Sequence, residues 1–341
     1  MKKVLIAGYF GMGNLGDEAI LQGEYGWLKK HFPGIEISVL SGDPIKTSAE
    51  LGCYAYDRKS FRDIFQAISK CDIFILGGGG LFQDVTSFRS LLYYLFLLEY
   101  ARMKRKKIAI FAVGIGPLKR KISEHLVKRA FKKANYVSLR DNDSFAWAKR
   151  MGIEGVYLSA DASFLLSPPP PGERKDEVAI SLRLWPGLSI NELEKSLKWL
   201  SIKKGLKLTY LLFNPADEEI SRKLQAETGG EINLLSSPRA ALERLSKCRF
   251  TIAMRLHSGI LSAVVGTPFL GLAYNPKVEA IANELGQLFL PLAESNKLTN
   301  TLAYLLEKEE TIMDSLKDKC ICMRKRIEGT MEGIKALLEE D

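Results

Sequence analysis

Short runs of consecutive apolar residues alternate along the chain with longer stretches in which apolar residues recur every three or four positions. The first pattern is typical of strands buried on both faces of a parallel sheet, and the second of the helices that cover such a sheet. The pattern therefore predicts an α/β fold. The predicted strands are Lys3 to Ala7, Ile35 to Leu40, Asp72 to Leu76, Lys107 to Val113, Tyr136 to Leu139, Val178 to Leu182, Lys207 to Leu212, Phe250 to Ala253 and Pro268 to Gly271. The predicted helices include Glu18 to Lys30, Ser87 to Arg105 and Ile122 to Ala134.

A run of four prolines followed by glycine, from Pro168 to Gly172, interrupts this alternation. Consecutive prolines cannot continue a helix or a central strand, and they form a stiff, extended segment that suits a linker. We therefore expect two facing Rossmann-like domains, formed by residues 1–167 and 174–310, with a linker at 168–173 and a cleft between the domains. Residues 311–341 are predicted to form a final helix that packs back on the first domain.

The composition agrees with two globular cores in a reducing compartment. The chain has 341 residues, of which 46% are hydrophobic, and this excludes a disordered protein. Five cysteines, an odd number without a framework spacing, indicate that disulfides are not formed. Cys320 and Cys322 have no second Cys or His pair within reach, so no metal site is predicted.

The apolar segments are all too short to span a bilayer. Two lysines precede Val4 to Ala7 as in a signal peptide, but the apolar run stops at Gly8 and is better explained as a first strand. The longest apolar stretches, Leu91 to Leu98 and Ile260 to Ala273, fall short of the roughly 20 residues that a membrane-spanning helix needs. We therefore expect a soluble, cytoplasmic protein.

The net charge of +9 is concentrated in one stretch, residues 102–133. Twelve Lys and Arg residues against one acid, Glu124, give this stretch a charge of +11 and leave the rest of the chain close to neutral. Two interpretations stay open: a solvated helix face, or a surface that contacts anionic lipid at the inner face of the cell membrane. Nucleic acid is not an expected partner, because no aromatic stacking pattern accompanies the charges.

Glycine-rich loops follow three of the predicted strands, at Gly8 to Glu18, Gly77 to Asp84 and Gly114 to Pro117. In open α/β sheets, ligands bind outside the carboxyl ends of the strands, and glycine lets backbone N–H groups converge on an anion there. The sequence therefore predicts an anion site at this sheet edge. The alternative is that these glycines are needed only for tight turns, and this applies chiefly to the first loop.

The first loop also contains a G-x-G-x-x-G pattern, Gly11 to Gly16, which is typical of dinucleotide sites. Asp17 and Glu18 follow directly and would repel a pyrophosphate. The acid that ends the next strand, Asp43, lies 32 residues past Gly11, where about 20 is expected. A nicotinamide or flavin site is therefore disfavoured.

Cationic side chains follow four of the predicted strands, and they are Arg140, Arg183, Arg255 with His257, and Lys277. If the strand that ends at Ala253 extends through position 257, Arg255 and His257 point to the same side. Of the three histidines, His257 alone lies in a strand-end loop, which favours a functional role. For Arg140, simple pairing with Asp141 is the alternative, and Lys277 could be an ordinary surface residue.

The chain contains four segments, Asn14 to Glu18, Gly77 to Asp84, Ser138 to Asp141 and Arg255 to Ser258, that together resemble the polysaccharide pyruvyltransferase family. The likeness is closest to bacterial members that modify secondary cell-wall polymers. It implies a glycosyltransferase type B-like fold with the active site between two Rossmann-like domains. It also implies phosphoenolpyruvate as co-substrate, with no cofactor. The implied acceptor is an N-acetylmannosamine of a lipid-linked glycan precursor, which receives pyruvate as a 4,6-ketal while phosphate is released.

The family's donor-binding basic residues correspond to Arg140, His257 and Lys277, with Arg255 in the same Arg-Leu-His motif. Phosphoenolpyruvate carries about three negative charges, and arginine suits its planar carboxylate while lysine suits its phosphate. One departure concerns Asp161, which is followed by alanine where many members have proline. It affects only the local turn.

Ketal formation needs an acid and a base near neutral pH and no metal. Its first step protonates the methylene carbon of the donor, and the imidazole of His257 has a suitable intrinsic pKa. Asp17 is the second predicted catalytic residue, and Asp17, Glu18 and Asp84 are the candidates to orient or deprotonate the sugar hydroxyls. The predicted acceptor-binding residues are Asn14, Asp17, Glu18, Gly78, Gly79 and Asp84.

Two other functions fit the same features. One is a type B glycosyltransferase, which shares the architecture and uses an anionic nucleotide sugar as donor. The other is a non-catalytic anion-binding or scaffold protein, which would bind the donor without releasing phosphate. A rise in melting temperature with phosphoenolpyruvate, but not with a nucleoside diphosphate, distinguishes the pyruvyltransferase from the glycosyltransferase.

Overall fold

A computed structural model describes residues 2–85, 87–170 and 172–340. The chain divides into two compact units. Residues up to Leu166, together with those from Met323 onward, form the first unit, and Ser167–Cys322 form the second. Pro171, in the predicted linker, lies outside the described residues.

Strands and helices alternate through the first unit. Its elements are β1 (Lys3–Ala7), α1 (Leu15–His31), β2 (Glu36–Ser41), α2 (Pro44–Leu51), β3 (Tyr54–Asp57), α3 (Phe61–Lys70), β4 (Ile73–Gly77), α4 (Phe88–Met103), β5 (Lys107–Val113), α5 (Lys121–Phe131), β6 (Tyr136–Leu139), α6 (Asn142–Arg150) and β7 (Val156–Leu158), followed by a 3₁₀ turn at Ala162–Leu165.

The described strands of the first unit form one parallel sheet in the order β3-β2-β1-β4-β5-β6-β7. Every residue of β4 is buried, as expected for a central strand with helices on both faces. Ala7 of β1 pairs with Leu40 of β2 on one side and with Leu76 of β4 on the other. The loops that follow these three strands therefore start side by side.

The second unit repeats the alternation. Its elements are β8 (Glu177–Ser181), α7 (Ile190–Lys198), β9 (Lys207–Leu212), α8 (Glu218–Thr228), β10 (Glu231–Leu234), α9 (Pro238–Leu245), β11 (Phe250–Ala253), α10 (Leu256–Val264), β12 (Phe269–Ala273), α11 (Pro276–Glu284), β13 (Leu288–Pro291), α12 (Leu298–Glu307) and the start of α13 (Glu309–Glu339), with short helical turns at Trp199–Lys203, Pro215–Asp217 and Leu292–Lys297. Within the described residues the sheet is parallel, in the order β10-β9-β8-β11-β12-β13.

The last helix, α13, belongs to both units: its residues through Cys322 lie in the second unit, and those from Met323 lie in the first. In the first unit, one side of the helix is buried through Met323, Ile327, Met331 and Ile334. The hydroxyl of Tyr136 donates to the carbonyl oxygen of Thr330 at 2.6 Å, and the hydroxyls of Ser159 and Thr330 lie 2.7 Å apart. These contacts hold the end of the chain against β6 and the segment after β7.

The predicted α/β alternation is confirmed, and β1, β5, β6, β9 and β11 have the predicted bounds. In particular, the apolar run at Lys3–Ala7 is a strand of the sheet. The hydrophobic pattern did not predict β3, β7, β10 and β13, which are the outermost strands of the two sheets.

Candidate active site

The strand order reverses once in each sheet, between β1 and β4 in the first and between β8 and β11 in the second. Ligands of open parallel sheets bind outside the carboxyl ends of the strands at such reversals. In the first sheet, the two glycine-rich loops leave from this point. In the second, the adjacent segments carry Arg183 on one side and Arg255 with His257 on the other. Most of the predicted site residues therefore lie where each sheet is expected to bind a ligand.

The N-terminus of α1 holds three predicted acceptor residues together. Asn14 caps the helix, since its side-chain oxygen accepts a hydrogen bond from the N–H of Gly16 at 3.4 Å. The side-chain nitrogen of Asn14 donates to Oδ2 of Asp17. Oε1 of Glu18 accepts a hydrogen bond from the N–H of Gly11 at 2.7 Å, which ties the helix to the loop after β1.

The environment of Glu18 changes its acidity. Burial raises the pKa of Glu18 to about 7, the hydrogen bond from Gly11 opposes the increase, and the charge of Asp17 adds to it. A carboxyl group with a pKa near 7 is partly ionised at neutral pH and can both accept and release a proton there. Glu18 is thus better suited to proton transfer than an ordinary surface carboxylate.

The glycine-rich loop after β4 packs directly on α1. A side chain at Gly77 would collide with the carboxyl group of Glu24, and a Cβ at Gly79 would lie 3.1 Å from Oδ1 of Asp17. The predicted acceptor residues Gly78 and Gly79 therefore do lie beside the helix that carries Asp17. Glycine is required here because the loop approaches the helix so closely.

The backbone N–H groups of these loops are largely used inside the protein. Gly78 donates to a carbonyl oxygen of β5 at 2.9 Å, and Gly114 donates to a carbonyl oxygen of the loop after β4 at 2.8 Å. The N–H groups of Gly11 and Gly16 are taken by side chains at the start of α1. The expectation that glycine N–H groups converge on an anion is therefore wrong for these four residues.

Glu24 is a buried carboxyl group beneath the same loop, with 1% of its surface exposed. Neither of its carboxyl oxygens has a hydrogen-bond partner among the described residues. Burial raises the pKa of Glu24 well above its usual value, and the charge of Asp161 adds to the increase. Burial therefore favours the neutral, protonated form of this side chain.

Arg140 is buried and held by two carboxylates. Its Nη1 lies 3.3 Å from Oδ2 of Asp161, and its Nε lies 3.4 Å from Oδ2 of Asp141. Burial alone would lower the pKa of Arg140, but the two carboxylates raise it. Gly114 is necessary beside it, because a Cβ there would lie 2.8 Å from Nη2. Arg140 therefore pairs with Asp141 and also with Asp161, and its predicted role in donor binding stays a prediction.

Asp84 contacts the segment that leads into α5. Its carboxylate accepts hydrogen bonds from the N–H of Lys119 at 2.7 Å, the N–H of Arg120 at 3.0 Å and the hydroxyl of Ser123 at 2.7 Å. Burial alone would raise the pKa of Asp84, but these donors lower it. The contacts give Asp84 a role in fixing the start of α5, and its acceptor-binding role stays a prediction.

In the second unit, Arg255 stands at the start of α10 and forms a two-pronged ion pair with Asp217. Its Nε lies 3.1 and 3.0 Å from the two carboxylate oxygens, and its Nη2 also donates to Oδ1. Asp217 is fully buried and closes a capping box with Asn214, whose N–H donates to Oδ2 at 3.1 Å. Arg255 is therefore anchored in a fixed orientation beside His257.

His257 lies in the first turn of α10 rather than in an extended strand. β11 ends at Ala253, and the helix begins at Leu256. The strand does not extend through position 257, because the chain turns into a helix directly after Arg255, so the alternation of a strand does not apply to Arg255 and His257. The Nε2 atom of His257 is shielded from solvent, at a helix N-terminus that favours negative charge.

Arg183 is a further cationic side chain, and it follows β8, the strand next to the one that precedes Arg255 and His257. Its Nη1 donates to the hydroxyl oxygen of Tyr274 at 3.1 Å, and its guanidinium carbon lies 4.8 and 5.1 Å from the ring centres of Trp185 and Tyr274. Its Nε is buried and has no hydrogen-bond partner among the described residues. The contact between Arg183 and Tyr274 joins the loop after β8 to the loop after β12. Tyr274 precedes α11, whose first turn carries Lys277.

Two residues of these sites were not found by sequence reasoning. Asp217 could have been found from Asn214 and Pro215, since Asn-Pro before a helix is a capping signal. Glu24 lies on α1, and a glutamate in a helix is normally exposed, so no sequence signal marks it.

The basic stretch, residues 102–133, adjoins exposed aromatic side chains. Phe65 lies 4.7 Å from Tyr100 between ring centres, and Nζ of Lys104 lies 5.6 Å from the Tyr100 ring. Phe61 and Met103 on the same two helices are 65% and 67% exposed. We call the set Phe61, Phe65, Tyr100, Met103 and Lys104 the α3–α4 surface.

Neither a membrane-spanning helix nor a metal-binding cluster is found in the described part of the chain. No helix in residues 2–85, 87–170 and 172–340 is both long enough and apolar enough to cross a bilayer. In the same residues, no group of three or more His, Cys, Asp or Glu side chains could hold a metal ion.

Sequence comparison identifies the family. A family model described as polysaccharide pyruvyl transferase matches residues 14–276, which contain all of the predicted site residues up to the start of α11. Lys277 is the next residue. No curated protein matches the chain.

Solved structures show the fold. The chain is similar to Anabaena HepE in complex with UDP and glucose, with a TM-score of 0.66, 11% identity and 99% of each chain covered. It is also similar to the UDP-GlcNAc 2-epimerase of Neisseria meningitidis bound to UDP-GlcNAc, with a TM-score of 0.64, 13% identity and 100% of each chain covered. A glycosyltransferase from Rickettsia africae gives a TM-score of 0.65 at 9% identity, covering 100% of this chain and 99% of that one. The glycosyltransferase type B-like fold of two Rossmann-like domains is thereby confirmed.

Proposed function

Since this chain belongs to the polysaccharide pyruvyl transferase family, we propose that it transfers pyruvate from phosphoenolpyruvate to a hexosamine of a lipid-linked cell-wall glycan. The product is a 4,6-ketal, and phosphate is released. N-acetylmannosamine is the proposed acceptor sugar.

The observation that carries the proposal is the set of cationic groups at the carboxyl edge of the second sheet. Arg183, Arg255 and Lys277 follow β8, β11 and β12, which are neighbours in that sheet. Phosphoenolpyruvate presents a carboxylate to arginine and a phosphate to lysine, each in the geometry that the side chain favours. Arg255 is already oriented by Asp217, so little side-chain entropy is lost when the donor binds.

His257 is the proposed acid of the first step. It gives a proton to the methylene carbon of the donor, and the resulting cation at the adjacent carbon is attacked by one sugar hydroxyl. Phosphate then leaves with the electrons of its carbon–oxygen bond, and the second hydroxyl closes the ketal. The two hydroxyl protons balance the proton gained by the new methyl group and the proton taken by phosphate.

Asp17 and Glu18 are the proposed groups that receive the hydroxyl protons. They stand together at the start of α1, and the pKa of Glu18, which burial raises to about 7, matches proton transfer at neutral pH. Asn14, Gly78 and Gly79 lie beside them and complete the proposed acceptor site. Arg140 is proposed as a further donor-binding residue.

The decisive experiment measures phosphate release from phosphoenolpyruvate with a panel of N-acetylhexosamine acceptors. We expect release only when an acceptor is present, and we expect a ketal in the product by mass spectrometry. A parallel measurement compares the rise in melting temperature with phosphoenolpyruvate and with UDP, because UDP occupies structures of similar fold. Stabilisation by UDP alone, with no phosphate release, would contradict the proposal and favour a nucleotide-sugar donor.

We also propose that the α3–α4 surface rests on an anionic membrane, where a lipid-linked acceptor would be found. Exposed aromatic and methionine side chains enter the interfacial region of a bilayer, and each nearby basic group adds about 1 kcal/mol of attraction to anionic lipid. Lys104 stands directly over Tyr100, so the charged and apolar parts of this surface are continuous.

A further inference from the structure

A guanidinium group and three tyrosine rings form a cluster at the carboxyl end of β3. The central carbon of the Arg58 guanidinium lies 5.3, 5.0 and 5.8 Å from the ring centres of Tyr9, Tyr93 and Tyr94. Nη2 of Arg58 donates to the hydroxyl oxygen of Tyr94 at 3.2 Å, and the hydroxyl of Tyr93 donates to the carbonyl oxygen of Arg58 at 3.0 Å. The guanidinium is therefore held in a defined position.

The positive charge of this cluster is not paired with a carboxylate in the described part of the chain. No carboxylate forms an ion pair with Arg58 within residues 2–85, 87–170 and 172–340. Nη1 is shielded from solvent and has no hydrogen-bond partner within the same residues. Burial opposes the charged form, but the neighbouring tyrosines raise the pKa of Arg58, so it stays ionised. A desolvated cation with an unused donor is unfavourable unless an anion compensates it.

The cluster lies at the same edge of the first sheet as the proposed acceptor site. The N–H of Arg58 donates to the carbonyl oxygen of Ser41 at the end of β2, at 2.9 Å. Tyr9 belongs to the loop after β1 and is 39% exposed. Tyr94 is close enough to Asp17 for the carboxylate charge to affect the phenol. β3 and β1 are separated by one strand, so their ends are about 10 Å apart.

We propose that Arg58 binds the phosphate of a glycosyl phosphate acceptor, whose sugar lies between Tyr9 and the carboxylates at the start of α1. This proposal rests on the proposed function, because it names the substrate class of the acceptor site. The planar guanidinium of Arg58, which is partly exposed, suits a phosphate oxygen, and an exposed tyrosine ring suits the apolar face of a sugar. Arg58 would select acceptors that carry a phosphate over neutral glycosides.

Binding to the full-length protein tests the proposal without requiring turnover. Isothermal titration compares N-acetylmannosamine 1-phosphate with methyl N-acetylmannosaminide, which has the same ring but no charge. We expect tighter binding of the phosphate, and we expect Arg58→Gln to weaken it at least tenfold while leaving the methyl glycoside unchanged. Arg58→Lys keeps the charge without the planar fork and should give an intermediate loss.

Arg62→Gln is the matched control, because Arg62 is an exposed arginine on α3 and its loss changes the net charge equally. It should bind both sugars as the unaltered protein does. Equal binding of the two sugars by the unaltered protein, or equal losses for both in Arg58→Gln, would overturn the proposal. If the sugar phosphate requires Arg58 but no acceptor supports phosphate release, the anion site stands and the proposed pyruvyl transfer is wrong.

Discussion

Arg140 and Asp161 form a buried ion pair in which the arginine Nη1 lies 3.3 Å from the aspartate Oδ2. Asp161 also caps the 3₁₀ turn at Ala162–Leu165, since its other oxygen accepts the N–H of Ser163 at 3.0 Å. The turn packs against Gly23 of α1. One carboxylate thus connects the orientation of a predicted donor-binding arginine with the position of the helix that carries Asp17 and Glu18.

Loss of this pair should destabilise the protein strongly. Asp161→Asn keeps the cap but leaves the buried Arg140 with one carboxylate fewer, so we expect a loss of about 3 kcal/mol in the free energy of unfolding. Urea denaturation measures it. The matched control is Asp141→Asn, which removes the other, more exposed partner and should cost about 1 kcal/mol or less. Equal losses of unfolding free energy in the two variants would contradict the conclusion that Asp161 is the main partner of Arg140.

Replacement of His257 by alanine should abolish catalysis without unfolding the protein. We expect the rate of phosphate release to fall at least about a hundredfold, because proton transfer by a positioned group is typically worth a hundred- to ten-thousand-fold. His125→Ala is the control, since His125 is exposed on α5 and should retain full activity. Near-normal turnover by the His257 variant would exclude it as the proton donor.

Arg183 should contribute to donor binding although the family resemblance did not single it out. Its buried Nε has no partner among the described residues, and its ring contacts hold it at the reversal point of the second sheet. We expect Arg183→Ala to reduce the phosphoenolpyruvate-dependent rise in melting temperature. Arg222→Ala, at an exposed position on α8, should leave that rise intact. An unchanged rise in the Arg183 variant would remove this residue from the donor site.

The buried Glu24 predicts a specific pH dependence of stability. Its pKa in the folded protein is raised well above the usual 4.5, so above that pH the folded state binds more protons than the unfolded state. Stability should therefore decrease as the pH rises above about 4.5, by at most about 1.4 kcal/mol per pH unit.

Glu24→Gln removes the titrating group and should flatten this dependence. The measurement is the difference in free energy of unfolding between the variant and the unaltered protein, followed by urea denaturation from acidic to mildly alkaline pH. The variant should gain relative stability as the pH rises. A difference that is constant with pH would show that Glu24 titrates normally.

The α3–α4 surface should bind anionic vesicles. We expect Lys104→Gln combined with Arg105→Gln to weaken sedimentation with vesicles of phosphatidylcholine and phosphatidylglycerol by about thirtyfold, from about 1 kcal/mol for each basic group. Phe61→Ser should weaken vesicle binding at high salt as well, because it removes apolar contact with the bilayer, which salt does not screen. Lys203→Gln with Lys223→Gln, two exposed residues of the second unit, serves as the control. No difference between the two pairs would leave the basic stretch as a solvated helix face.

The sequence predicts the central part of both sheets but not their edges. β4, β5 and β11 are buried almost throughout, so they appear as continuous apolar runs. The outermost strands β3 and β10 are short and partly exposed, and their polar residues interrupt the pattern. Arg58 was missed for this reason, since a residue can be assigned to a strand end only when the strand itself is recognised.

Site residues were predicted by type and position, but of their carboxylate partners only Asp141, next to Arg140 in the sequence, was anticipated. Arg140, Arg255 and His257 could be located because they follow buried strands. The carboxylates Asp161 and Asp217, which orient two of them, come from segments distant in sequence, and only the folded backbone brings them near. The sequence left open whether the strand extends to His257, because the start of a helix depends on local backbone geometry, which strand periodicity does not report.

The division of α13 between the two units has a consequence for biosynthesis. The first unit cannot complete its own packing from a contiguous piece of chain, because Tyr136 and Ser159 find their hydrogen-bonding partner in Thr330. While the polypeptide emerges from the ribosome, the first sheet keeps an uncovered apolar patch until the part of α13 that begins at Met323 has been translated. A truncation that stops at the proline run would therefore yield an aggregation-prone fragment rather than an autonomous module.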